Sequence, residues 1–246
     1  MTDSVQTSPL PSAWTRRFSV TALSGGIGAA ILALVGSYGS GFGLWNFQTG
    51  FLFLAVALVL AIAGLITGLV ALAKGGAKGR TLIGLLCSAL FLGIMGTVIN
   101  LGISNPPLHD ISTDLVNPPA FQKLELRADN LVGVDTVENW RAVHAKALPD
   151  IEPITLSLTP AEAIKKAQAI VAARGWDVAL VTADRIEATE TVSPFQFKDD
   201  VVIVVTPGPG GQGSSINIRS VSRVGLSDLG FNAARVRGLM ADFGAQ

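Results

Sequence analysis

From Ser4 to His109 the chain contains no aspartate and no glutamate. Apart from Asp3, every acidic residue lies from Asp110 onward. An acid-free, Gly-rich and apolar stretch of that length excludes an ordinary water-facing surface and suits a bilayer. Cysteine is almost as scarce. Cys87 is the single one, which excludes an intramolecular disulfide and any metal held by a cysteine cluster. Within its apolar run it reads as a small buried side chain. The two histidines, His109 and His144, have no metal-ligand spacing. No metal and no cofactor is expected.

The zero net charge of the 246 residues hides two opposite parts. Residues 1–109 carry five Lys+Arg against one Asp, a net +4. Residues 110–246 carry thirteen against seventeen, a net −4. An acidic domain is a poor partner for phosphate backbones, so nucleic-acid binding is set aside.

Three runs are long and apolar enough to cross a bilayer as helices, about 18–38, 50–73 and 81–103. None holds an ionisable Lys, Arg, His, Asp or Glu, which argues against a proton relay, an ion path or a voltage sensor. Small residues recur four apart: Ser24/Gly28, Gly25/Ala29, Gly64/Gly68 and Gly84/Ser88. Such pairs let helix backbones approach closely in lipid. Arg16 and Arg17 precede the first run, and Lys74, Lys78 and Arg80 lie between the second and third. The positive-inside rule puts both segments in the cytoplasm and everything after 103 outside it, in the periplasm of a two-membrane bacterium. Tyr38, Phe42, Trp45 and Phe47 crowd the outer connection as an interfacial belt would. Arg16-Arg17 also suits a twin-arginine signal. Ser19 and Val20 replace its apolar pair, however, and no clear cleavage site follows, so the first run is read as retained.

The expected organisation is a cytoplasmic tail (1–17), a three-helix transmembrane region (18–103), a Pro-rich extended tether (104–121) and a soluble domain (122–246). The Pro106-Pro107 and Pro118-Pro119 pairs forbid continuous helix in the tether. The soluble part reads as α+β: an antiparallel sheet with helices packed on one face. A helix is expected at 137–147. Thr159-Pro160 with Glu162 opens another, and Gly175 ends it. Strands are expected at 153–158, 176–182, 185–193, 199–206 and 214–223. A last helix is expected from Ser227 or Asp228 to Phe243, with Leu229, Ala233, Val236, Met240 and Phe243 on one face. The glycine-rich 207–213 loop is followed by a strand, so it reads as a hairpin and not a phosphate cradle.

Several groups carry polar chemistry: Ile186-Glu187-Ala188-Thr189 with Thr191, Phe195 and Phe197-Lys198-Asp199-Asp200; then Arg219-Ser220, Ser222-Arg223 and Gly225; then Ser227-Asp228-Leu229-Gly230, Asn232-Ala233 and Arg235. With Asp110-Ile111-Ser112-Thr113-Asp114, Pro118-Pro119-Ala120-Phe121 and Pro149-Asp150-Ile151, they resemble the bacterial and plastid family known as domain of unknown function 1499. The resemblance covers roughly 105–243. Leu148 departs from it where a Tyr is usual before Pro-Asp, and Val204 near a place where Arg is common. No established activity comes with the family.

Strand alternation forbids Asp199 and Asp200 from gripping one metal together. Arg219 and Arg223 share a face. A hairpin register with an even residue sum would set Asp199 beside them near Val221, with Val202, Val204, Ile216 and Ile218 on the opposite, core face. Asp228, Asn232 and Arg235 are spaced to form one stripe of the last helix. Asp199, Arg219, Arg223, Asp228, Asn232 and Arg235 are therefore the candidate ligand-binding set. Their competing reading is a structural ion-pair network. As a binding patch, the arginines would grip a carboxylate or phosphate through forked donors. A hydrolase would need Ser220, Ser222 or Ser227 with His109 or His144, and no nucleophile elbow surrounds these serines. The expectation is a non-enzymatic protein of the inner membrane. It would bind an anionic envelope component or a membrane-protein partner. The alternatives are an envelope hydrolase working through the same cluster and a passive assembly subunit.

Overall fold

The computed structural model describes residues 12–244; most of the expected cytoplasmic tail lies outside them. The chain divides into two compact units between Thr97 and Val98.

The first unit is built from α1 (Ala13–Gly41), α2 (Phe47–Ala73) and most of α3 (Lys78–Ser104). All three are long and apolar enough to cross a membrane. At 1.5 Å per residue, 27 residues span about 40 Å, more than the roughly 30 Å hydrocarbon layer requires. α1 and α2 begin before the apolar runs because their caps do. Ser12 Oγ accepts from Thr15 N at 3.2 Å and Asn46 Oδ1 from Thr49 N at 2.9 Å. The expected small-residue seams are in use. A Cβ added at Gly25 would fall 2.8 Å from the Leu60 carbonyl of α2, and one at Gly26 would strike Gly84 of α3. Gly64, Gly68, Gly84 and Ser88 are all buried. Ser24 is exposed, so the Ser24/Gly28 pair takes no comparable part. Between α1 and α3, Thr81 Oγ1 donates to Ser19 Oγ at 3.0 Å. In lipid, such close backbone approach and buried hydroxyl pairing supply association that hydrophobicity cannot.

The second unit is α+β. After the end of α3 come β1 (Asp110–Ser112), α4 (Val137–Ala147), β2 (Ile154–Leu156), α5 (Pro160–Ala173), β3 (Asp177–Val181), β4 (Arg185–Val192), β5 (Phe197–Pro207), β6 (Ser214–Ser222) and α6 (Phe231–Gly244). The strand order is β1-β6-β5-β4-β3, with β2 also pairing β6, and every pairing is antiparallel. Thr159 and Glu162 close a full capping box on α5. Gly175, at φ +67°, supplies the left-handed residue that ends it. The 207–213 segment is the hairpin loop joining β5 to β6.

Ile111, Ile186, Ala188, Val201, Ile203, Val205, Ile216 and Ile218 face α5 and α6. They bury with Ala163, Ile164, Ala167 and Val171 of α5 and Ala233, Val236, Leu239 and Phe243 of α6. At the transfer value of about 1.5–3 kcal/mol per fully buried large aliphatic side chain, this face is the main source of cohesion.

Three expectations need correction. The β5–β6 register has an odd residue sum: Asp199 pairs Ser222 and Asp200 pairs Val221. Asp199 thus lies on the helix face, and Val202 and Val204 lie on the other. Both faces of β5 are covered, so Val201–Val205 reads as one continuous apolar run that does not reveal its inward parity. Residues 110–112, expected within the tether, form a buried strand against β6. Finally, α6 starts at Phe231, because Leu229 and Gly230 have positive φ (+60° and +88°) and break helical continuity before it.

Candidate functional site

The odd register sorts the polar residues of the sheet into two groups on opposite faces. On the face turned from the helices lie Asp110, Glu187, Thr189, Asp200, Arg219 and Arg223. Arg219 Nε and Nη2 donate to the two Asp110 oxygens at 2.9 and 2.6 Å. Asn130 Nδ2 adds a third bond to Asp110 at 2.5 Å, and Arg219 Nη1 reaches the Pro119 carbonyl at 3.2 Å. Glu187, fully buried, accepts the backbone N–H groups of Gln122, Lys123 and Leu124 at 2.6, 2.8 and 2.8 Å. Burial alone would raise the Glu187 pKa, but these three bonds and Arg185 outweigh it and hold the carboxyl below its usual value. These buried charges hold the irregular 113–124 segment over the sheet.

Asp200 is shared. Thr189 Oγ1 donates to its Oδ1 at 2.7 Å, and Arg223 binds both oxygens at 2.8 Å through Nε and Nη2. The bond to Asp200 raises the Arg223 pKa. The Arg223 side chain is nevertheless 42 % exposed, and among the described residues its Nη1 donates to nothing. Arg223 N bonds Lys198 O at 3.0 Å, which continues the ladder and sets exposed Lys198 directly across from Arg223. Two cations facing each other across a ladder repel unless an anion joins them.

The helix face holds a closed network. Arg235, 6 % exposed, donates to Asp199 Oδ2 at 2.7 Å and to Glu190 Oε2 through Nε. Its Nη1 bonds Ser220 Oγ at 3.0 Å and also Asn232 Oδ1. Ser220 Oγ donates to Asn232 Oδ1 at 2.6 Å, and Asn232 Nδ2 donates to Ser222 Oγ at 2.8 Å and to the His109 carbonyl at 3.1 Å. Asp228 lies ahead of α6 and not on it. It accepts from Gly230 N at 2.8 Å and Asn232 N at 2.5 Å, as a capping carboxylate does. Burial raises its pKa against those two bonds.

The six candidates therefore do not form one site. Asp199, Asn232 and Arg235 belong to the helix-face network with Asp228 beside them. Arg219 and Arg223 lie on the other face with separate partners. Asp110 and Asp200 complete those pairs, and Lys198 stands across the ladder from Arg223. Asp110 was legible only as part of a motif, because its pairing with Arg219 spans the sheet. Lys198 carried a usable signal, since it sits in the same charged run as Asp199.

An open cleft of about 540 Å³ lies beside the Asp110–Arg219 pair, lined by Leu126, Asp129, Asn130, Leu131, Asp135 and Trp140 among others. Arg127 is paired with Asp129 at 2.7 Å. With Arg219 also matched by Asp110, Asp135 leaves the cleft acidic. It does not suit an anion.

Ser220 is fully buried and Ser222 nearly so. The His144 ring accepts from Ser112 N at 3.2 Å, and the His109 ring meets the Leu226 carbonyl at 3.3 Å. Neither histidine addresses a serine hydroxyl, and Ser220 Oγ has no path to an external substrate. Among the described residues no group of three or more His, Cys, Asp or Glu is placed to hold a metal ion.

The family described as "Protein of unknown function (DUF1499)" matches residues 110–243. No curated protein and no solved structure matches the chain.

Proposed function

The chain belongs to the DUF1499 family of proteins of unknown function, and from that premise we propose that it is a membrane-anchored binding module. The three N-terminal helices (18–103) anchor it in the inner membrane, residues 1–17 are cytoplasmic, and the domain, with β1 at 110–112 as part of its sheet, works on the extracytoplasmic side. The asymmetry of Arg16, Arg17, Lys74, Lys78 and Arg80 supports that direction. The ligand is an anionic envelope component, or a partner protein presenting a carboxylate or phosphate, taken by Arg223 and Lys198.

One observation carries this reading. Of the arginines in the expected binding set, Arg223 alone combines an exposed side chain with an unused donor, and Lys198 stands across from it. Asp200 holds the Arg223 guanidinium in place, so little rotamer entropy is lost on binding. Burial of Ser220 and Ser222 weighs against a hydrolase working through the same cluster.

The test uses the full chain in nanodiscs of zwitterionic lipid, with inorganic phosphate and a dicarboxylate as probes in calorimetric titration. The expected result is binding that weakens about tenfold or more in Lys198→Gln/Arg223→Gln, equivalent to roughly 1.4 kcal/mol, with thermal unfolding little changed. Absence of binding by the unaltered protein, or equal binding by the variant, overturns the reading. It would leave an assembly role through the helices as the better account.

A further inference from the structure

The loop from Arg223 to Gly230, between β6 and α6, and the first residue of α6 expose several apolar side chains. Val224, Leu226 and Phe231 are 36 %, 58 % and 48 % exposed. The neighbouring loop adds Leu126, 40 % exposed, and is tied to it by Arg127 Nη1 donating to the Gly225 carbonyl at 2.7 Å. Contiguous exposed apolar side chains mark an interaction surface. The occupant is indicated by where the loop begins its next helix.

The second unit starts at Val98, so the last two turns of α3 belong to it. Within that unit a Cβ built on Gly102 would fall 3.3 Å from Leu229 Cδ2, and one on Gly230 would collide with the Asn105 amide. The loop therefore rests against the final turn of α3. The apolar run of α3 ends at Ile103, which is 80 % exposed, with Ile99 at 53 %. If α3 crosses a bilayer, its last apolar turn marks the level where hydrocarbon gives way to headgroups.

We propose that Val224, Leu226 and Phe231 insert into the headgroup region of the same bilayer that α3 crosses, so that the domain lies on the membrane surface through this loop. Apolar side chains bordered by a cation are the composition of an interfacial contact, and Arg223, 42 % exposed at the start of the loop, supplies the cation here. Anionic lipid strengthens such contacts through basic residues. The proposal rests on the membrane-anchored part of the function above. It does not require the Lys198–Arg223 anion site.

The test places nitroxide labels on the full chain in nanodiscs containing phosphatidylcholine and phosphatidylglycerol, in a Cys87→Ala background. Leu226→Cys and Phe231→Cys report the loop, and Val224→Cys replaces either one if it does not fold. Leu90→Cys, 68 % exposed on α3, reports the anchor, and Val178→Cys, 51 % exposed on the far edge strand, reports open water. Collision with oxygen exceeding that with a water-soluble nickel chelate several-fold is expected at 90, 226 and 231, and the reverse at 178. A loop label as chelate-accessible as position 178, with 90 in lipid, overturns this inference alone. Loop labels shielded from both reagents show a protein cover and overturn it equally. An aqueous signal at 90 overturns the anchor and this inference with it.

Discussion

The two faces of one sheet treat their arginines differently. On the helix face, Arg235 is sunk among Asp199, Glu190, Ser220 and Asn232, and its three donor nitrogens are all engaged. On the opposite face, Arg223 leans on Asp200 but keeps one nitrogen free in solvent. The difference follows from cover. Two helices close the first face, so a charge there must be matched internally or not exist. The second face is covered by the irregular 113–124 segment only as far as Arg219 and Glu187, and its end near Arg223 stays open. A shared residue type thus serves cohesion on one side and availability on the other.

The sharpest way to break this contrast is Arg235→Leu. It strands Asp199 in the interior, 4 % exposed, beside a carboxylate at 190. Removing one partner of a buried pair costs about 3–5 kcal/mol. Chemical unfolding of the full chain, followed by tryptophan fluorescence, should show a large fall in midpoint. A change no greater than that of an exposed site would mean the helix-face network is solvated.

Glu187 tests the middle ground, where a buried charge holds an irregular segment. Its folded pKa is depressed, so its stabilisation is complete above the unfolded value of about 4.3 and is lost as pH falls through the lower folded value. Glu187→Gln should cost about 1.5–3 kcal/mol, the usual worth of hydrogen bonds to a charged group. It should also flatten that acid limb. Hydrogen exchange at the 122–124 amides should accelerate in the variant before the β5–β6 ladder opens. Simultaneous loss of both would show that the segment and the sheet unfold as one.

Arg223→Gln should have the smallest effect on stability, about 1.5 kcal/mol, the low end for hydrogen bonds to a charged group, because buried Asp200 keeps its bond from Thr189 and water can enter the place left by a guanidinium that is 42 % exposed. An unfolding shift matching that of Arg235→Leu would erase the distinction between the faces. A small shift would sharpen it.

Much of this arrangement could be read without coordinates. The three apolar helices, the helix at Val137–Ala147, the capping box at Thr159–Glu162 and the antiparallel ladder all follow from patterns within a few residues of one another. The charged clusters were also visible, and so was the ambiguity between ligand patch and ion-pair network. Their partners were not. Asp110 and Arg219 are separated by 109 positions, and Glu187 binds amides more than sixty residues upstream. No local pattern encodes such a pairing.

Composition and short-range pattern were enough to separate an apolar, acid-free front from an acidic α+β back, because solvent preference and helix or strand periodicity are properties of neighbouring residues. Which arginine is enclosed and which is reachable depended on the offset between β5 and β6, since a slip of one residue exchanges the faces of a strand. That offset is settled by long-range packing, with Val201, Ile203 and Val205 meeting α5 and α6, and it placed Asp199 with Arg235 and left Arg223 facing water.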